Sequence, residues 1–285
     1  MLPFSRLVAF GDPGLVPFLR KPSMKRSAIL AVLAVAGGAF AFDQYLPVGK
    51  GKLESDLMVQ RTAQSGGYDA DGKSQSLTSE EGSPATTTPS LQFKYGIIDG
   101  LDVELLAAYE LRNKDNGDVS GLSRPELALK YVHPEMGVGG FLNVALPMGS
   151  EKIVGEKPAT TFFVGAIYGK TFGQIVVNAF ADYQFNTESE KMKQDAIQVY
   201  AQGQYNVNTQ IGPYLGVDYA KAFEMQMDGT SVPKSDGYLL TLKPGLNFAV
   251  NEMIAIEANV PVTVMGKSKE SSWALYAGVY YTIGL

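Results

Sequence analysis

Stretches of about ten residues in which apolar and polar side chains alternate recur along this chain, joined by connections that are alternately short and long. Period-two alternation belongs to a β-strand whose two faces meet different surroundings. About ten residues is also what a tilted strand needs to cross a bilayer. Short connections on one side and long polar ones on the other are what a barrel with closed hydrogen bonding presents to a membrane.

Twelve strands are predicted, at about 52–61, 90–98, 101–111, 124–133, 138–147, 160–170, 174–185, 195–205, 210–220, 237–249, 253–265 and 273–285. In the third, Leu101, Val103, Leu105, Ala107, Tyr109 and Leu111 share one face, with Asp102, Glu104 and Glu110 on the other. In the eleventh, Ile254, Ile256, Ala258, Val260, Val262 and Val264 oppose Glu257, Asn259 and Thr263. Short turns are expected around Asp99-Gly100, a strong hairpin signal, and around 134–137, 172–173, 206–208 and 251–252. Long connections are expected at 62–89, 112–123, 148–159, 186–194, 221–236 and 266–272. Such segregation of loop length fits an up-and-down outer-membrane barrel with both termini periplasmic. On the apolar faces, Tyr109, Tyr183, Tyr219, Tyr238 and Trp273 fall near the long-loop ends, and Tyr95, Tyr131, Tyr205, Phe248 and Tyr281 near the short-turn ends. Two aromatic rings at opposite strand ends are the pattern of interfacial girdles.

The polar faces carry charge at mid-strand: Lys94, Glu104, Lys130, Asp182, Asp218, Lys243 and Glu257. In a membrane barrel the polar face is the lumen, so these seven are the candidate lumen-lining residues. Both signs occur, which predicts inward ion pairs. Twelve strands enclose more space than a packed eight-stranded barrel and less than a porin.

Ahead of the strands, Met24 opens a positive segment (Lys25, Arg26), an apolar run from Ala28 to Ala36 and the sequence Ala39-Phe40-Ala41. That order is a secretory signal with its cleavage site. The reading is an upstream segment at 1–23 from a mis-called start, a signal peptide at 24–41 and one barrel domain at 42–285. Removing residues 1–41 takes away five basic residues (Arg6, Arg20, Lys21, Lys25, Arg26) and one acidic residue (Asp12), moving the net charge from −5 to −9. No basic surface for nucleic acid follows from that balance.

Enzymatic chemistry has little support. The chain has no cysteine and one histidine, His133, which precedes Pro134 at an expected turn. A hydrolytic site would need it beside a nucleophile or a carboxylate pair. Tyr68-Asp69-Ala70-Asp71-Gly72 hints at a calcium turn, but an EF-hand loop in that register would begin at Gly67 and end at Thr78, where carboxylates are required. No metal and no cofactor are expected.

The stretch Leu142-Asn143-Val144-Ala145-Leu146-Pro147-Met148-Gly149-Ser150-Glu151 resembles the strand, Leu-Pro-Thr-Gly and acidic residue of the meta-pathway phenol-degradation outer-membrane family. Asn178 to Gln184 and Pro244 to Phe248 are similar to its later strands, and the resemblance spreads over most of 90–285. Two positions depart from it: Met148 stands for the usual Thr, and the chain ends in Leu285 where outer-membrane barrels commonly end in Phe. The resemblance implies uptake of small, aromatic or hydrophobic compounds. The expectation is therefore an all-β, closed antiparallel transmembrane barrel in the outer membrane. Its partners would be lipid and a small-molecule solute, and its function passive solute passage. The competing class is a structural or surface-interaction protein with a closed lumen.

Overall fold

The computed structural model describes residues 47–76, 85–113, 118–187 and 192–284. Residues 1–23, expected to be an upstream segment, and residues 24–41, expected to be a signal peptide, lie outside these residues. Twelve antiparallel strands form one ring. They are β1 (Lys52–Tyr68), β2 (Ala85–Ile98), β3 (Leu101–Asn113), β4 (Val119–Leu122 and Glu126–Val132), β5 (Val138–Ala145), β6 (Thr161–Phe172) and β7 (Ile175–Asn186). There follow β8 (Ala196–Tyr205), β9 (Ile211–Ala222), β10 (Gly237–Ala249), β11 (Ile254–Asn259 and Val262–Lys267) and β12 (Lys269–Gly284).

Each strand pairs with its neighbours in sequence, and the long β1–β12 ladder, from Lys52↔Gly284 to Tyr68↔Lys269, closes the ring. Closure leaves no unpaired sheet edge, the condition for strands in lipid. The two divided strands are interrupted at proline. Pro125 and Pro261 have no N–H to give the ladder. The chain resumes through Leu146 N–H to Pro125 O at 2.9 Å and Ala274 N–H to Pro261 O at 2.9 Å.

All twelve expected strands are present, but several ends differ. β1, β2 and β12 run past the expected limits. The long loop expected at 266–272 is instead a tight turn at Ser268, whose φ is +50°. Ser268 N–H donates to Asp69 O at 3.0 Å, tying that turn to the β1 loop. The connection after β9 and the one before β8 contribute Gln226–Met227, Thr230–Ser231 and Met192–Lys193 to a small separate sheet. At the other end the hairpins are short. Gly100, with φ +88°, supplies the left-handed position of the Asp99-Gly100 turn.

Burial alternates with the ladder. Leu57, Leu105, Leu129, Leu142, Val164, Leu215, Leu275 and Val279 are exposed on the outside. The girdle residues Tyr95, Tyr109, Tyr131, Tyr183, Tyr205, Phe248, Trp273 and Tyr281 are exposed with them. Tyr219 and Tyr238 pack ring to ring at 5.9 Å. A closed barrel with an apolar outer wall and aromatic belts at both ends is an outer-membrane barrel.

Candidate functional site

The interior face is where charge and hydrogen-bonding capacity collect. Lys94, Lys130, Asp182, Asp218, Lys243 and Glu257 are all buried, and Glu104 shares their inward parity. The register decides which of them meet. Lys94 on β2 lies opposite Glu54 on β1, and its Nζ is 2.6 Å from Glu54 and 2.7 Å from Asp56. Lys130 on β4 lies opposite Asp102 on β3, with Nζ 2.7 Å from Glu104 and 3.5 Å from Asp102. Gln92, the inward residue two before Lys94, donates to Glu104 at 2.9 Å. On the other side of the ring, Lys243 of β10 pairs with Asp218 of β9 at 2.6 Å, and Gln198 of β8 donates to the same carboxylate.

Glu257 stands apart from these lysines. Tyr214 and Tyr280 donate to its two oxygens, and Asn259 donates at 2.9 Å. Tyr276 and Tyr280 share a hydrogen bond of their own. Two inward glycines make room for this belt. A Cβ on Gly245 would stand 2.2 Å from the Tyr214 ring, and one on Gly216 would stand 2.5 Å from Tyr200 Oη. Tyr200 and Tyr214 therefore lie flat along the wall, over neighbouring strands, instead of reaching straight toward the axis.

Toward the long-loop end, the segment after β5 folds against the inner wall. Its helical turn, Glu151–Val154, buries Ile153. Gly121 on β4 accepts it: a Cβ there would meet Ser150 at 2.4 Å and Ile153 at 3.1 Å. Ser150 Oγ accepts the Leu122 N–H at 2.8 Å. Arg112, paired with Glu110 at 2.8 Å, donates to Ile153 O at 3.2 Å. Arg124 donates to Thr161 Oγ1 at 3.1 Å. This inward loop narrows the mouth on the β3–β6 side.

Sequence reasoning placed the seven charges on the inward parity but missed their partners Glu54 and Asp56, the arginines of the mouth, and an apolar patch. Phe141, Phe163, Ile167, Phe180 and Tyr200 form one buried inward cluster on β5–β8, and Met58, Leu106, Ala108 and Tyr276 form a second. The signal for Glu54, Asp56 and Arg112 was present, since each sits on the polar parity of its strand. The patch had no such signal, because its residues break the parity. His133 has a turn role: its Nδ1 accepts the N–H groups of Glu135 and Met136 at 3.3 and 3.4 Å. Asp69 caps its own turn, accepting from the N–H groups of Asp71 at 2.9 Å and Lys73 at 2.8 Å. Among the described residues no three His, Asp or Glu side chains gather to hold a metal ion.

No family model and no curated protein matches the chain. Solved structures do. An outer membrane channel from Pseudomonas putida F1 superposes with a TM-score of 0.72 at 15% identity, covering 86% of this chain and 100% of that one. The translocator domain of the autotransporter NalP from Neisseria meningitidis gives 0.50 at 10% identity, covering 82% and 88%. The beta domain of the Bordetella autotransporter BrkA gives 0.50 at 10% identity, covering 81% and 99%. The shared feature is the fold: this chain is a twelve-stranded antiparallel barrel of the outer-membrane kind.

Proposed function

We propose that the mature chain, residues 42–285 after loss of the signal peptide, is a passive channel through which small solutes cross the outer membrane along a charged inner wall. The observation that carries this reading is how the inner charges pair: Lys94–Glu54, Lys130–Glu104 and Lys243–Asp218 each join adjacent strands and lie along the wall. A closed structural barrel calls for bridges thrown across the lumen.

In this reading Lys94, Glu104, Lys130, Asp182, Asp218, Lys243 and Glu257 line the path, and the inward loop at 146–160 sets its width. The sequence resemblance at 142–151 to the phenol-degradation outer-membrane family favours small aromatic or hydrophobic solutes, and the inward patch around Phe141 and Phe180 suits them. The test is single-channel recording of the refolded mature chain in planar bilayers. Ohmic conductance is expected. Silence from barrels shown to be folded, at every voltage applied, refutes passage and supports the structural role.

A further inference from the structure

Two ammonium groups inside this barrel are held in the same way. Lys94 Nζ lies 2.6 Å from Glu54, 2.7 Å from Asp56 and 5.9 Å from the Tyr280 ring centre. Lys243 Nζ lies 2.6 Å from Asp218 and 4.9 Å from the Tyr200 ring centre. Each cation sits between a carboxylate and an aromatic ring, the pair of surfaces that binds an ammonium ion once its water is removed.

The wall carries a third set of the same partners. Asp182 on β7 is 6% exposed, and its Oδ1 has no hydrogen-bond partner. Among the described residues no lysine or arginine pairs with it. Phe180 is the next inward residue on the same strand. Gly165 on β6 is the direct ladder partner of Asp182, and the Phe141 ring lies over it, 2.6 Å from where a Cβ would stand. Phe141 and Phe180 meet edge to face, 6.3 Å between ring centres, and Phe180 lies 5.5 Å from Tyr200. A lone buried carboxylate beside aromatic rings is costly unless it takes up a proton or a cation joins it, and an ammonium ion offers both a charge for the carboxylate and a surface for the rings.

We infer that Asp182, Phe180 and Phe141 form a subsite for the ammonium group of a small organic cation, of which a primary alkylammonium ion is the simplest member. The subsite rests on the reading of the interior as a solute path and adds small organic cations to the aromatic or hydrophobic solutes proposed for that path. A neutral aromatic solute would gain nothing from Asp182. A bare inorganic cation would use the carboxylate and little of the rings.

The experiment is calorimetric titration of ethylammonium chloride into the folded barrel in detergent, with potassium chloride and ethanol as controls. Wild type is expected to bind ethylammonium saturably, and Asp182→Asn to weaken it by about tenfold or more. Phe180→Leu is expected to weaken ethylammonium and leave potassium unchanged; it carries the test if Asp182→Asn does not fold. Equal binding by wild type and Asp182→Asn, absence of binding by wild type, or equal affinity for potassium and ethylammonium each overturns the subsite. Conductance is a separate axis. Barrels that bind ethylammonium without conducting refute passage and keep the subsite; barrels that conduct with an Asp182-independent titration do the reverse.

Discussion

Leu105→Arg is the sharpest test of where the lipid lies. Leu105 is an outward residue of β3, exposed on the barrel wall. Tyr109 of the upper girdle is four residues above it, and Leu101, which pairs with Tyr131 of the lower girdle, is four residues below it. Four residues span about 13 Å along a strand, and a tilt near 40° leaves about 10 Å of depth on each side. Leu105 thus sits near the middle of an apolar band about 25 Å tall, where an arginine costs about 2–4 kcal/mol. Ile256 is outward as well, but it pairs directly with Phe248 of the lower girdle. An arginine at position 256 can reach the interface, so Ile256→Arg should cost about 0–1 kcal/mol. Equilibrium unfolding in denaturant from lipid vesicles measures both through the shift in midpoint at constant slope. Equal costs at the two sites, or a cost at Leu105 under about 1 kcal/mol, would refute the depth assignment.

Lys94→Met strands two buried carboxylates, Glu54 and Asp56, and should destabilise the barrel by about 3–5 kcal/mol, with partial rescue on adding Asp56→Asn; the same unfolding assay reads both. Replacing Lys94, Lys130 and Lys243 together by Gln should move the reversal potential in a salt gradient toward cation selectivity, and an unchanged potential would remove these residues from the ion path. Asp69, held below its ordinary pKa by the backbone N–H of Lys73 and then that of Asp71, orders its exposed turn. Since the folded value is the lower one, that contribution is present at neutral pH and is lost as pH falls through it. Amide exchange at Asp71 and Lys73 should therefore lose protection in acid, and Asp69→Asn should remove the pH dependence.

The strands were legible where lipid dictates them. An outward residue between the girdles has to be apolar, so Leu101 to Leu111 and Ile254 to Val264 announced both their structure and their faces. Legibility ended where the wall leaves the membrane. Thr62–Tyr68, Ala85–Pro89 and Lys269–Ser272 are polar or small on both faces, and what holds them is the backbone ladder, from Ala63↔Trp273 to Tyr68↔Lys269. Side chains that are polar or small on both faces erase the period-two signal without weakening the hydrogen bonds, so the pattern predicts a loop over the extended strands and the tight Ser268 turn. The ion pairs were hidden for another reason. Lys94 meets Glu54 only because β1 and β2 pair in one register, and no local pattern in either strand specifies it.

The inner aromatic patch shows how narrow the sequence margin becomes. Along β7 the inward residues are Asn178, Phe180 and Asp182, and the outward ones between them are Ala179 and Ala181. By size and hydrophobicity alone the segment faces both ways: the largest apolar side chain points inside while two alanines meet lipid. Asn178 and Asp182 decide the matter. A slip of one residue would exchange every side chain between the two faces. It would free Phe180 to lipid, worth about 2 kcal/mol or less, and put an amide and a carboxylate into hydrocarbon, where each costs more than that. Polar residues therefore fix the orientation of this strand, and Phe180 is carried inside by them. The same constraint that hid the patch from the alternation pattern is what holds a phenylalanine ring beside the unpaired carboxylate of Asp182.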